Sequence, residues 1–526
     1  MTKTTVDTST YDKAPEGFPE LNPFDEHNRE ALANLHPQDW TNPTPDGRYN
    51  LLVIGAGPGG LVAAAGAAGL GAKVALVEKH LLGGDCTNVG CVPSKALLRC
   101  ARAHAEARDA GAFGVRISGD IDVDFAAVME RMRKLRAGIS HHDSARRFTD
   151  LGMDMFLGSG QFTSESTFEI DGRTIEFARA CIATGARAVK LPIEGIDEVD
   201  VLTNENIFTL TELPKRLVII GAGPIGVEMA QAFARFGSEV TLLEQMPQIL
   251  IKEDEDAARL VEAQLERDGV EIICCADIQR LSQDGADTVM SLKYKDGHDK
   301  QRGKQMPTEL RVDRVLIGVG RKPNTEGLGL ETAGVETWQH GVKVNDYLQT
   351  SNKRIYAIGD VASKYKFTHA ADAMARIVIR NALLFGRARH DDLIVPWCTY
   401  SEPEIAHVGI NEQEAKDRDD VTTIKIDFAD VDRAKLDGQT NGFVKVHADG
   451  KGRILGATIV GADAGNMIGE IVLAMQGGLK LSTVADAIHP YPTVAEAIKK
   501  AGDAYNRTRL TPTVKRLFET VMKWRR

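Results

Sequence analysis

The sequence predicts an α/β protein: two parallel-sheet domains made of βαβ units, joined to a smaller C-terminal α+β domain. Three observations predict it. A short apolar strand, a glycine-rich turn and a helix follow one another twice, around residues 51–60 and 216–226. In each copy the next apolar strand ends on a glutamate 23 residues beyond the first glycine, Glu78 after Gly55 and Glu244 after Gly221. From about Trp397 the pattern changes to alternating strands followed by helices.

Residues 1–48 are polar and carry Pro15, Pro19, Pro23, Pro37, Pro43 and Pro45, which predicts an irregular arm on the surface of the body. Leu51-Leu52-Val53-Ile54 reads as a buried strand, residues 55–60 as the turn, and the Ala-rich run behind it as a helix. Residues 74–77 form the second strand. Residues 134–154 read as helix then turn, and 162–182 as short strands closing back on the first domain. The second unit runs from strand 216–220 through turn 221–226 and helix 227–236 to strand 240–243. A polar hairpin region follows at 281–310, around Asp284-Gly285 and Asp296-Gly297. In the third domain, strands are expected at 443–447 and 454–460 and helices at 466–476 and 494–501. The last helix, 512–524, starts behind Thr511 as N-cap with Pro512 at its first position.

The chain has 526 residues and a net charge of −10. The length suits several domains, each able to bury a core. The acidity argues against a bulk electrostatic grip on nucleic acid. Seven cysteines, thinly spread, do not form a secreted disulfide framework; a reducing, cytoplasmic setting is expected. No apolar run approaches the roughly 20 residues of a membrane span, and no secretory signal is visible. Cys274-Cys275 reads as a strand pair whose side chains point to opposite faces. His141-His142 reads as a solvated helix end.

The first turn is Gly55-Ala56-Gly57-Pro58-Gly59-Gly60 and the second Gly221-Ala222-Gly223-Pro224-Ile225-Gly226. Such turns need residues without Cβ, so that backbone N–H groups can approach a pyrophosphate at the helix N-terminus. Glu78 and Glu244 stand where a carboxylate can accept ribose hydroxyls. Two dinucleotides are therefore expected. Glu244 bonds a free 2′-hydroxyl and repels a 2′-phosphate, and Gln245, not an arginine, follows it, which favours NADH over NADPH.

Cys86 and Cys91 lie in Gly83-Gly84-Asp85-Cys86-Thr87-Asn88-Val89-Gly90-Cys91-Val92-Pro93-Ser94-Lys95. They read as a redox pair, as two buried cysteines, or as half of a metal site. No second cysteine or histidine pair lies close by, so no metal site is assigned. Residues five apart in an ideal helix rise about 7.5 Å, beyond the roughly 4.4–6.8 Å between the Cα atoms of a disulfide. A bridge here therefore needs an irregular helix start, which Gly90 permits, and would be labile.

These motifs resemble the class I pyridine nucleotide-disulfide oxidoreductases, among them dihydrolipoyl dehydrogenase, glutathione reductase and mercuric reductase. Ala183-Thr184-Gly185 resembles the family's crossover between flavin and nicotinamide domains. Gly318-Val319-Gly320-Arg321-Lys322-Pro323-Asn324 resembles the return. Tyr356-Ala357-Ile358-Gly359-Asp360 resembles the second flavin signature, and Phe367-Thr368-His369-Ala370 the helix start at the flavin ring. The resemblance implies Rossmann-like FAD-binding segments at 49–195 and 320–392, an NAD(P)-binding domain at 196–319 and a dimerisation domain at 393–505; the residues themselves give a basic amphipathic helix at 506–526. It implies a flavin site that includes Lys79 and Gly84. It also implies electron flow from NADH through FAD to a Cys86–Cys91 disulfide, with Cys91 next to the flavin, Cys86 as the exchanging thiol, and Lys95 and Glu228 as an ion pair beside the flavin. A homodimer is implied, with a C-terminal base supplied by the partner subunit.

At that base the pattern departs. The sequence reads His489-Pro490-Tyr491-Pro492-Thr493-Val494-Ala495-Glu496. Alignment on Pro-Thr and Glu puts Tyr491 at the base position, His489 two residues earlier, and Glu496 as the orienting acid. A phenol with a pKa near 10 is a weak base at pH 7, whereas an imidazole titrates near neutrality. Mercuric reductases resemble the chain here, yet no cysteine follows Cys398. The leading expectation is a mercuric reductase-like enzyme acting on a small disulfide or a metal thiolate. A dihydrolipoyl dehydrogenase is the rival enzyme. A redox-sensing or electron-shuttling module docking a protein partner is the rival class. The tail, with Val514, Leu517, Phe518 and Val521 on one face among basic residues, is a basic amphipathic helix, expected to pack on the acidic body or across the dimer in preference to a membrane surface.

Overall fold

The computed structural model describes residues 13, 18–295, 297–301 and 304–526; residues 1–12 and 14–17 of the arm, and Asp296 of the second expected hairpin turn, lie outside them. The first sheet is parallel at its centre. Asp154–Leu157, Val74–Glu78, Tyr49–Ile54, Arg173–Ile182 and Ile355–Ala357 lie side by side in that order. Ile355–Ala357 joins from far along the chain, so this domain is assembled from two segments. An antiparallel extension, Gly160–Phe162 with Thr167–Ile170, continues from Arg173–Ile182. The strands are buried almost throughout because helices and loops cover both faces.

The second sheet repeats the plan, in the order Glu271–Ile273, Glu239–Leu243, Arg216–Ile220, Arg314–Ile317 and Val201–Leu202, all parallel. The hairpin Ala276–Asp284 with Asp287–Tyr294 turns at Gly285. The C-terminal domain is a five-stranded antiparallel sheet, Trp397–Thr399, Glu404–Gly409, Ile454–Gly461, Phe443–Asp449 and Val421–Asp427. Helices Ala464–Gln476 and Glu496–Thr508 share its apolar core.

Two expectations are corrected and a third is narrowed. The arm is not irregular throughout: Glu26–Leu35 is a helix capped by Asp25, which accepts from Asn28 N–H at 2.9 Å. Leu32 and Leu35 are fully buried, contributing roughly 1.5–3 kcal/mol each. An Asp25–Arg133 ion pair at 2.5 Å ties the helix to Phe125–Ser140. Cys274 and Cys275 are not in a strand: the strand ends at Ile273 and Cys275 adopts a left-handed backbone, φ +57°. The C-terminal helix Pro512–Trp524, capped by Thr511, buries none of its residues within the chain. It therefore does not pack on its own body. His141 and His142 are exposed at a helix end. Among the described residues no helix is long and apolar enough to cross a membrane.

Candidate active site

The two glycine turns are built alike. Gly55 and Gly221 have φ of +99° and +98°. A Cβ on Gly60 would lie 1.8 Å from the Gly55 carbonyl, and one on Gly226 1.9 Å from that of Gly221, so each helix can start this close to its strand only on glycine. Glu78 accepts from Ala56 N–H at 2.7 Å, and Glu244 from Ala222 N–H at 2.8 Å. Each strand-end carboxylate thus pins its own turn.

A cavity of about 1330 Å³ runs along the first turn to the cysteines. This exceeds the roughly 300–1,000 Å³ of drug-sized sites, as a dinucleotide requires. Gly55, Gly57, Glu78, Lys79 and Gly84 wall it, as do Thr184, Gly185, Arg321, Gly359, Asp360 and His369. Ala370 does not; it is 1% exposed in the core, and Ala371 lines the cavity in its place. Gly60 supports the turn from behind. The second turn borders the cavity only through Pro224 and Ile225, while Gly221, Gly223, Gly226, Glu244 and Gly320 lie outside it.

The redox segment is broken as the spacing requires. Cys86 sits in the short helix Gly84–Asn88, and Cys91 opens the long helix Cys91–Asp109. The break falls at Val89-Gly90, where a Cβ on Gly90 would stand 2.8 Å from the Asp85 carbonyl. Both thiols are free and hydrogen-bonded to each other. Cys91 is pulled down to about 6, chiefly because Cys86 donates to it, with Thr368 at 3.6 Å and Lys95 adding to the effect against burial. The N-terminus of a 19-residue helix favours the same anion. Cys86 is pushed above the ordinary thiol range by that hydrogen bond and by burial.

Lys95 lies one turn beyond Cys91 and donates to Glu228 at 2.7 Å. The Glu228 side chain is 5% exposed, and its other oxygen accepts from Tyr400 N–H at 2.9 Å. The Lys95 ammonium also stands 4.6 Å from the centre of the Tyr400 ring. Arg321 joins three segments: it pairs with Asp85, with Asp360 at 3.2 Å, and donates to the Ala186 carbonyl at 2.6 Å. Thr184 and Asn324 bond reciprocally, at 2.7 and 2.9 Å, and lock the two domain crossings together. His369 donates to the Pro396 carbonyl at 2.7 Å.

His489, Tyr491 and Glu496 do not reach the cavity of their own chain. Tyr491 is 70% exposed and donates to Asp432 at 3.1 Å. His489 donates to Glu470 at 2.9 Å. Glu470, not Glu496, is therefore the acid that orients this imidazole, and sequence reasoning missed it. Thr368, Tyr400 and Asp85, the partner of Arg321, were also missed as members of the site.

Residues 49–375 match the pyridine nucleotide-disulphide oxidoreductase model, and residues 395–502 match the dimerisation domain of that family. The chain belongs to the pyridine nucleotide-disulphide oxidoreductases. It is 35% identical to the mercuric reductase of Staphylococcus aureus over 469 residues, covering 88% of this chain and 83% of that protein. It is equally 35% identical to the dihydrolipoyl dehydrogenase of Mycobacterium tuberculosis over 470 residues, 86% of this chain and 97% of that protein. Among solved structures, the HOCl-induced flavoprotein disulfide reductase RclA from Escherichia coli superposes with a TM-score of 0.76 at 30% identity, covering 86% of this chain and 99% of that one. As a member of this oxidoreductase family the protein is an enzyme that uses FAD and a nicotinamide dinucleotide. The glycine cradle, Glu78 and the volume of the cavity fit FAD.

Proposed function

We propose that the protein is a homodimeric, cytoplasmic NADH-dependent reductase of the mercuric reductase-like branch, delivering electrons from Cys86 and Cys91 to a thiophilic metal complex or a small disulfide. The polarity of the cysteine pair carries this reading: one thiolate is stabilised at a helix N-terminus beside Lys95, and one thiol is kept protonated next to it. When bound, FAD supplies the relay between a hydride donor and the sulfur pair. Two electrons and one proton break the S–S bond and leave a Cys86 thiol and a Cys91 thiolate. Lys95, held by Glu228, keeps the positive charge beside that thiolate. Arg321 keeps the redox helix in register with the crossing strands.

Tyr491 in place of a histidine base favours a soft metal complex over proton-coupled dithiol exchange. The Cu(II) complex described for the RclA structure fits that direction. NADH over NADPH rests on Glu244 and on Asp277, which Gln245 contacts at 2.5 Å. The opposing observation is the His489–Glu470 pair, an imidazole oriented by a carboxylate, which favours dihydrolipoyl dehydrogenase.

Anaerobic titration with NADH tests the cysteine roles. Long-wavelength charge-transfer absorbance is expected after two electrons, and its absence removes Cys91 from the flavin. An acceptor panel tests the branch. Hg(II) in excess thiol, or Cu(II) without added thiol, is expected to turn over faster than lipoamide, glutathione disulfide and quinones. The reverse ranking for lipoamide assigns the chain to the rival enzyme. A requirement for a protein partner before any acceptor is reduced assigns it to the electron-shuttling class.

A further inference from the structure

The family match begins at residue 49, yet the described part of the arm before it returns to the cavity. Phe18 and Pro19 form part of the cavity wall beside Glu78, Lys79 and His80. The Phe18 ring meets His36 edge-on at 4.5 Å and lies 5.5 Å from His80. His36 Nδ1 donates to the His80 carbonyl at 2.6 Å, and Leu82 N–H donates to Leu35 O at 3.3 Å. On its other side the same loop is bound to the glycine turn, where Gly83 N–H donates to Ala56 O at 2.8 Å. The loop that follows Glu78 is therefore held between the arm and the turn.

A second anchor lies further along the arm. The Asn42 side chain bonds the Leu157 backbone in both directions, donating to its carbonyl at 3.0 Å and accepting from its N–H at 2.8 Å. Trp40 Nε1 donates to the Met155 carbonyl at 3.3 Å. Strand Asp154–Leu157 is the edge of the parallel sheet, and residues 158–160 behind it line the cavity. The arm thus covers the exposed edge and fixes the start of that lining loop.

In a βαβ dinucleotide unit, the carboxylate closing the second strand receives the adenosine ribose. Glu78 is that carboxylate, which places Phe18 and His80 at the adenosine end. Burial lowers the pKa of both His36 and His80, so both rings are neutral at pH 7 and suit an uncharged aromatic ligand. We propose that residues 18–42 clamp the adenosine half of FAD, with Phe18 and His80 as its aromatic wall and Asn42 holding the loop behind it. The clamp belongs to this chain's arm and is independent of the electron acceptor.

The test uses the full-length holoenzyme and follows FAD loss by the gain in flavin fluorescence on dilution, beside thermal unfolding of the deflavinated protein. Phe18→Ala is expected to release FAD roughly tenfold faster, and Phe18→Leu nearly as fast, because each lacks the aromatic face. Phe18→Trp is expected to stay within about twofold of the parent. The unfolding midpoint of the deflavinated protein is expected to be unchanged in all three. FAD loss from Phe18→Ala at the parental rate overturns the proposal. So does faster loss accompanied by a lower midpoint of the deflavinated protein, which reduces the arm to a stabiliser of the fold.

Discussion

The Lys95 ammonium stands 2.7 Å from the Glu228 carboxylate, and this contact fastens the redox helix to the helix of the second glycine turn. Tyr400, from the C-terminal domain, donates its N–H to the same carboxylate. Three domains meet at one buried acid. The cation that favours the Cys91 thiolate is therefore fixed by the fold and not by a mobile side chain.

Lys95→Met removes that cation. The Cys91 pKa is depressed to about 6, so the thiolate is present above that value and lost as pH falls through it. Charge-transfer absorbance of the two-electron-reduced holoenzyme is expected to fade near pH 6 in the parent, and about one pH unit higher in Lys95→Met. Anaerobic spectrophotometric titration measures both. Coincident titrations would show that Lys95 does not act on Cys91.

His489 and Tyr491 separate the two enzymatic readings. Tyr491 is held above the ordinary phenol range by its hydrogen bond to Asp432, so it is protonated at pH 7 and offers a hydroxyl, not a base. Tyr491→Phe is expected to slow Hg(II)-dependent NADH oxidation about tenfold, the worth of one hydrogen bond. His489→Gln is expected to leave that rate within about twofold while lowering residual lipoamide turnover by roughly a hundredfold. Reduction of the enzyme by NADH, followed by stopped flow, is expected to be unchanged in both variants.

The glycine turns and the cysteine pair of the candidate site were legible because their signals are local. The offsets from Gly55 to Glu78 and from Gly221 to Glu244 are fixed by one βαβ unit, and the Cys86–Cys91 spacing by one helix start. Glu470 was not legible: it reaches the loop that carries His489 from helix Ala464–Gln476, and no periodicity links the two. The Asp85–Arg321 pair joins residues from opposite sides of the second domain. The arm helix was hidden by Pro23 and Pro37, which flank it and do not interrupt it, while Asp25 caps it. Cys275 was misread because the strand ends at Ile273 while the apolar run continues through Cys274 and Cys275.

The proposed preference for NADH rests on negative charge at the end of the second βαβ unit. Glu244 accepts backbone N–H groups from Ala222 and Met246, at 2.8 and 2.9 Å, and Gln245 holds Asp277 close by. Glu244→Gln keeps an acceptor for Ala222 and removes the charge. The ratio of kcat/KM for NADPH to that for NADH is expected to rise about tenfold. Steady-state kinetics with both nucleotides measures it, and an unchanged ratio places the discrimination elsewhere.

The second domain is joined to the C-terminal domain by a buried cation. The Lys445 side chain is 2% exposed, and its ammonium contacts Asp254 at 3.2 Å, Asp256 at 2.6 Å, and Glu412. Lys445→Met leaves Asp254, itself 4% exposed, without its counter-charge. A loss of roughly 3–5 kcal/mol is expected, the usual result of stranding one half of a buried pair. The pH dependence follows from the acids. Glu412 is held at about 2, first by Lys416 and then by Lys445, and Asp256 is also held below its ordinary value by Lys425 and Lys445. Depressed carboxyl pKa values give stability that is fully present above the unfolded value and lost as pH falls through the folded one. The gap in unfolding temperature between parent and Lys445→Met is therefore expected to be widest near pH 7 and to narrow below about pH 4. A gap that does not change with pH would mean that Lys445 acts by packing alone.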